Sequence, residues 1–106
     1  MSFVMNLIQI LLPLYDNDGI QITFSLFSNI RAELTQKFGG LTSHMQSPAE
    51  GLWKEEGQKT VKDEIVIFEV MAETLDASWW KSYRLQLERE FRQDEIVVRA
   101  STVTLL

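Results

Sequence analysis

The chain has 106 residues, a formal net charge of −5 at neutral pH and no cysteine. This length predicts one domain, residues 1–106, and its ordinary apolar content argues against intrinsic disorder. The absence of cysteine excludes disulfides and thiolate metal sites and favours a reducing, cytoplasmic location, while the negative charge argues against a nucleic-acid partner.

The first predicted element is a strand over the apolar run from Met5 to Leu12, which is typical of a strand covered on both faces. The run is shorter than the ~20 residues that span a bilayer and has no signal-peptide pattern, so we expect no membrane association. A helix is predicted from Phe24 to Phe38, because apolar residues recur there at three- and four-residue spacing. Gly39 and Gly40 supply its C-terminal cap.

The middle of the chain gives weaker signals. Leu41 to Met45 predicts a short strand, Gly51 to Trp53 predicts a resumed strand or a hairpin arm, and Glu55 to Lys59 predicts a hairpin loop. The segment from Lys62 to Ala72 predicts the strongest strand, since it is rich in β-branched and aromatic residues.

The last third of the chain predicts a helix and a strand. Asp76 is a suitable N-cap for a helix from Ala77 to about Arg92, and the final strand is expected from Glu95 to Val103. The buried stripe of this helix is predicted to be Trp80, Tyr83, Leu87 and Phe91. The order β-α-β-β-α-β predicts an α+β, ferredoxin-like fold, with two helices on one face of a four-stranded antiparallel sheet.

The second face of this predicted sheet has no helix to cover it. Side chains alternate between the two faces of a strand, and both sets are mostly apolar in the first and third strands. We therefore expect a homodimer in which two sheets face each other, a dimeric α+β barrel. The alternative is that the segment around Trp53 and the chain ends cover the face within one monomer.

Three polar residues interrupt this apolar face: Gln9, Glu69 and Arg99. In the ferredoxin-like order the first strand lies between the third and the fourth, so we expect Glu69 to pair with Arg99 across Gln9. One interpretation is a pocket where Arg99 receives the carboxylate or carbonyl of a small molecule. The other is an ion pair that fixes strand register or dimer geometry.

Two further residues are candidates for ligand binding, His44 and Trp53. His44 is the single histidine, and as a general base it needs an orienting carboxylate that local spacing does not supply. It also lacks metal-ligand partners at the usual spacings, so we predict no metal site and no cofactor. Trp53 follows Gly51 in an irregular segment, where an indole caps a core edge or lines a pocket.

The middle third also resembles a pattern in small uncharacterised bacterial domains. The residues that carry the resemblance are Phe38-Gly39-Gly40-Leu41-Thr42, Gly51-Leu52-Trp53, Gly57 and Asp63. A broader likeness, resting on the predicted fold alone, is to dimeric α+β-barrel proteins, which include cofactor-free monooxygenases, haem-degrading enzymes and small-ligand sensors. The haem-degrading members share an Asn, Trp and His set; this chain has Asn6 and Trp53, but its second helix carries no histidine.

Two functional hypotheses follow from the sequence. The first is a homodimeric module for small-ligand binding or interaction, and it is favoured because no nucleophile, base or metal set is recognisable. The alternative is a cofactor-free enzyme of the α+β-barrel kind, monooxygenase-like, acting on a small apolar carbonyl or phenolic substrate.

Overall fold

The structure, a computed structural model, describes residues 2–46 and 64–106. The elements follow in the order β1 (Phe3–Pro13), α1 (Phe24–Phe38), β2 (Thr42–Gln46), β3 (Ile65–Ala72), α2 (Ala77–Glu90) and β4 (Val97–Leu105). The fold is α+β, and α1 has the predicted bounds. The predictions for Gly51 to Trp53 and for Glu55 to Lys59 fall outside the described residues, as do Lys62 and Asp63.

The strands form one antiparallel sheet in the order β2-β3-β1-β4. The first strand therefore lies between the third and the fourth. Gln9 stands opposite Glu69 on one side and opposite Arg99 on the other. Thr42 stands opposite the same Glu69 from β2. This register brings one position of every strand into a single line across the sheet.

The helices and one face of the sheet share one hydrophobic core. Its sheet side includes Ile8 and Ile10 of the central strand, which are at most 1% exposed. The helix residues in the same cluster are Ile30, Leu34, Trp80, Tyr83 and Leu87. Since one face of β1 supplies the sheet side of this core, both helices cover that face, and no helix of residues 2–46 and 64–106 covers the other.

Local signals in the sequence fix where the helices begin and end. The Asp76 side chain accepts a hydrogen bond from the Trp79 amide at 3.1 Å, which confirms the predicted N-cap of α2. Gly39 ends α1 with φ 83°, a left-handed conformation that costs glycine little because it has no Cβ.

The C-terminal boundaries differ from the prediction. The helix α2 ends at Glu90, not at Arg92, because Phe91 caps it and Arg92 takes a left-handed φ of 52°. The last strand begins at Val97, two residues after the predicted start. Ile96 is only 2% exposed, but its amide donates to the Glu88 carboxylate at 2.9 Å instead of entering the sheet.

The second face of the sheet is apolar and only partly exposed. Leu7 and Leu11 are half-buried, and Met71 is exposed. Ile67, which stands opposite Leu11 and His44, is 2% exposed.

No helix in residues 2–46 and 64–106 is long and apolar enough to cross a membrane.

Candidate functional site: a polar row across the sheet

Four polar side chains, one from each strand, form a connected row on the second face. The row contains His44 of β2, Glu69 of β3, Gln9 of β1 and Arg99 of β4. The Arg99 Nε donates to the Gln9 Oε1 at 2.8 Å, and the Gln9 Nε2 donates to the Glu69 Oε1 at 2.6 Å. The His44 Nε2 lies 3.2 Å from the same Glu69 oxygen. Since a carboxylate only accepts hydrogen bonds, this histidine nitrogen carries a proton.

The row corrects one expectation. Within the described residues, Glu69 and Arg99 form no direct ion pair, and the Glu69 carboxylate instead accepts hydrogen bonds from Gln9 and His44. The reason is register: Gln9 stands between the two charges on the central strand, and its amide donates to one and accepts from the other. His44 had no predicted orienting carboxylate, and the fold supplies one from the neighbouring strand.

Within the described residues, two charged members of the row, Glu69 and Arg99, keep unused hydrogen-bonding atoms. In residues 2–46 and 64–106, both hydrogen bonds to the Glu69 carboxylate use Oε1. Toward the described residues, the Arg99 guanidinium uses only its Nε, although Arg donates through five N–H groups in a planar fork. The side chains of the row therefore hydrogen-bond to one another, and further hydrogen bonds can still be accepted by Glu69 and donated by Arg99.

The environment of Glu69 favours its ionised form. The hydrogen bond from Gln9, and then that from His44, lowers the pKa of Glu69 from its ordinary value of 4.5, against an opposing effect of burial. Its side chain is 22% exposed, so water screens part of these interactions. At neutral pH the centre of the row carries a negative charge.

Replacing Glu69 with Gln is expected to weaken the pH dependence of stability. Because the folded pKa is lowered, ionised Glu69 stabilises the fold fully above 4.5, and this contribution is lost as pH falls through the folded pKa. The variant should be less stable than the original chain at pH 7, and the difference should shrink in more acidic buffer. Urea unfolding at a series of pH values measures this, and a difference that stays constant across the series contradicts it.

A groove of about 360 Å³ adjoins the row at Glu69. Apolar side chains of the second face, including Met5, Leu7 and Met71, form much of its lining. Thr42 contributes a hydroxyl beside the carboxylate, and the turn after α1 closes one end. Small-molecule sites combine such an apolar lining with a few polar groups. Neither the groove nor the inclusion of Thr42 was predicted, since both depend on the register of β2 against β3.

Trp53 and Asn6 are the other residues that the sequence analysis singled out. Trp53 lies outside the described residues. The Asn6 side-chain amide donates to the backbone carbonyls of Ala72 and Glu73, so its contacts are structural. In the described part of the chain, no group of three or more His, Asp or Glu side chains could hold a metal ion.

Comparisons with protein-family models, curated proteins and solved structures find no match to this chain. The resemblances to small bacterial domains and to dimeric α+β-barrel proteins therefore rest on the sequence pattern and the element order alone.

Proposed function

We propose that this protein is a homodimeric module of ferredoxin-like fold, in which two copies pack sheet to sheet and bind a small molecule beside Glu69. The order β2-β3-β1-β4 and the placement of both helices on one face support the fold. The observation that carries the dimer is the second face itself, which combines apolar side chains with a polar row in which Glu69 and Arg99 keep atoms unused by the described part of the chain. A surface of this kind marks an interaction site.

The charge pattern of the row favours one arrangement of the two copies. A twofold axis that runs along β1 places β4 of one copy over β3 of the other, so Arg99 faces the partner subunit's Glu69. A twofold axis that runs along the row instead places Arg99 over its own equivalent, and like charges then oppose each other. Facing sheets pack about 10 Å apart, a gap that Arg and Glu side chains bridge. The first arrangement is the one we propose.

Sedimentation velocity tests the assembly directly. The protein is expected to sediment as a dimer at about 10 µM, a concentration that a specific interface of ordinary size readily supports. A monomer over the whole range up to about 100 µM would refute the dimer, whatever the small molecule does. The charge-reversal series in the Discussion tests the orientation of the two copies.

The groove beside Glu69 is the proposed small-molecule site. Its lining calls for a small apolar compound, with a hydroxyl that donates to Glu69 or a carbonyl that accepts from Thr42. A thermal-shift screen of phenolic and carbonyl metabolites should give hits whose stabilisation is largely lost in Thr42→Val, a change that removes the hydroxyl and keeps the shape. Thr102→Val, the same change at an exposed position on the other face of β4, is the matched control. Hits that are equally stabilising in both variants would place the ligand elsewhere.

A second candidate function rests on the contact between His44 and Glu69. A histidine oriented by a carboxylate is a common arrangement for a general base, and it favours a cofactor-free enzyme acting on a small apolar phenolic or carbonyl substrate. The same screen separates the two functions. An enzyme consumes one of the hits, and His44→Asn stops the consumption while the compound still stabilises the fold. A binding module leaves every hit unchanged.

A further inference from the structure

A larger cavity, of about 450 Å³, lies on the helix side of the sheet. Helix α1 forms one of its walls, and the ends of β2 and β3 form another. On these strands, the lining residues alternate in sequence with the residues of the polar row, so they point to the helix-side face of the sheet. They are Ser43, Met45, Val66 and Phe68. The volume falls in the range of about 300–1,000 Å³ that is typical of small-molecule sites.

Most of the side chains that line this cavity are apolar, and its polar ones are Gln21, Arg31, Ser43 and His44. Its floor is built from Phe27, Val66 and Phe68, which belong to the hydrophobic core or pack against it. At the mouth, Phe24 is 84% exposed and Met45 is 56% exposed. Large apolar side chains that face water on both sides of an opening can bury further area against an apolar ligand.

One charged group reaches into this apolar setting, the guanidinium of Arg31. Its Nη2 donates to the Ser43 hydroxyl at 3.1 Å, and its Cζ lies 5.5 Å from the centre of the Phe68 ring. These two contacts hold the group in place and leave donors unused. Among the described residues, no carboxylate lines the cavity or forms an ion pair with Arg31.

We propose that this cavity binds a small monocarboxylic acid with an apolar body. The carboxylate is received by Arg31, whose planar fork matches two oxygen acceptors, and the apolar body lies against Phe24, Phe27 and Met45. Charge complementarity decides the head group, since the cavity offers a fixed cation that has no acidic partner within residues 2–46 and 64–106. The site lies on the opposite face from the groove beside Glu69, and His44, at the edge strand, borders this cavity as well as the row.

Isothermal titration with octanoate tests the proposal on the full chain, with 1-octanol as the uncharged probe of equal length. Octanoate should bind saturably, and at least about tenfold more tightly than 1-octanol, because a hydrogen bond to a charged group is about twice as strong as a neutral one. Arg31→Met keeps most of the side-chain length and should lower octanoate affinity at least tenfold, while the 1-octanol affinity should change little. Arg89→Met, at an exposed position of α2, is the control and should bind as the original chain does.

Two further measurements keep the result unambiguous. Raising NaCl from about 50 to 500 mM should weaken octanoate binding to the unmodified chain but not 1-octanol binding, so the test stands even if Arg31→Met folds poorly. Repeating the titration over about a tenfold range of protein concentration should leave octanoate affinity unchanged, which separates this site from the proposed dimer face. Equal affinity for the two probes, or no saturable octanoate binding up to about 10 mM, would overturn the proposal.

Discussion

Replacing Phe91 with alanine is expected to lower the free energy of unfolding by about 3–5 kcal/mol. Phe91 is the C-cap of α2 and is fully buried, and its ring meets the Phe27 ring edge to face at a centroid distance of 5.4 Å. The change removes an aromatic side chain where both helices meet the sheet. The cavity left behind cannot collapse fully, because backbone elements surround it.

Phe24→Ala is the matched control, since the same atoms are removed from the first residue of α1, where the side chain is 84% exposed. Its effect on stability should stay within about 0.5 kcal/mol. Urea unfolding followed by tryptophan fluorescence measures both variants. Similar losses in the two variants would mean that the core is not centred between the helices and the sheet as the structure has it.

Charge reversal at the polar row is expected to have the largest effect on assembly. If Arg99 faces the partner subunit's Glu69, then Arg99→Glu places two carboxylates opposite each other twice in each dimer. Opposed like charges at an interface cost several kcal/mol, so the dimer dissociation constant should rise at least about 100-fold. Glu69→Arg alone should have a comparable effect, because it opposes two guanidinium groups.

The double variant Glu69→Arg with Arg99→Glu restores opposite charges across the interface. Gln9 can serve the exchanged charges by rotating its amide half a turn, since oxygen and nitrogen then change places. His44 loses its acceptor, so we expect recovery to within about tenfold of the original dissociation constant and not beyond. Sedimentation velocity measures all three, and Arg89→Glu on the exposed side of α2 should change nothing. A double variant as weak as either single one would exclude the axis along β1.

Most of the predictions that were confirmed rest on signals read within one segment. The bounds of α1 follow from its apolar spacing and from Gly39, and the start of α2 follows from the Asp76 cap. The grouping of Gln9, Glu69 and Arg99 needed only the alternation of side chains and a strand order. Once β1 lay between its two partners, parity placed all three on one face.

The parts that were missed depend on contacts between distant segments. Ile96 is apolar and buried, so the sequence predicted it as part of the last strand. Its amide instead donates to the Glu88 carboxylate of α2, and the strand begins one residue later. The contact between His44 and Glu69 depends on the register of β2 against β3, for which the sequence between them gives no local rule. The cavity beside Arg31 depends on how α1 lies across the strand ends, and no periodic pattern encodes that.

The position of β1 at the centre of the sheet has a consequence for synthesis on the ribosome. The side-chain partners of Gln9 follow it by 60 and 90 residues. At a synthesis rate of about 5–20 residues per second, the aliphatic strand waits roughly 5–18 s before its second neighbour leaves the exit tunnel. Until β3 emerges, after roughly 3–12 s, the backbone groups of β1 have no partner strand, and the nascent chain depends on α1 or on a chaperone to keep this segment from associating with others.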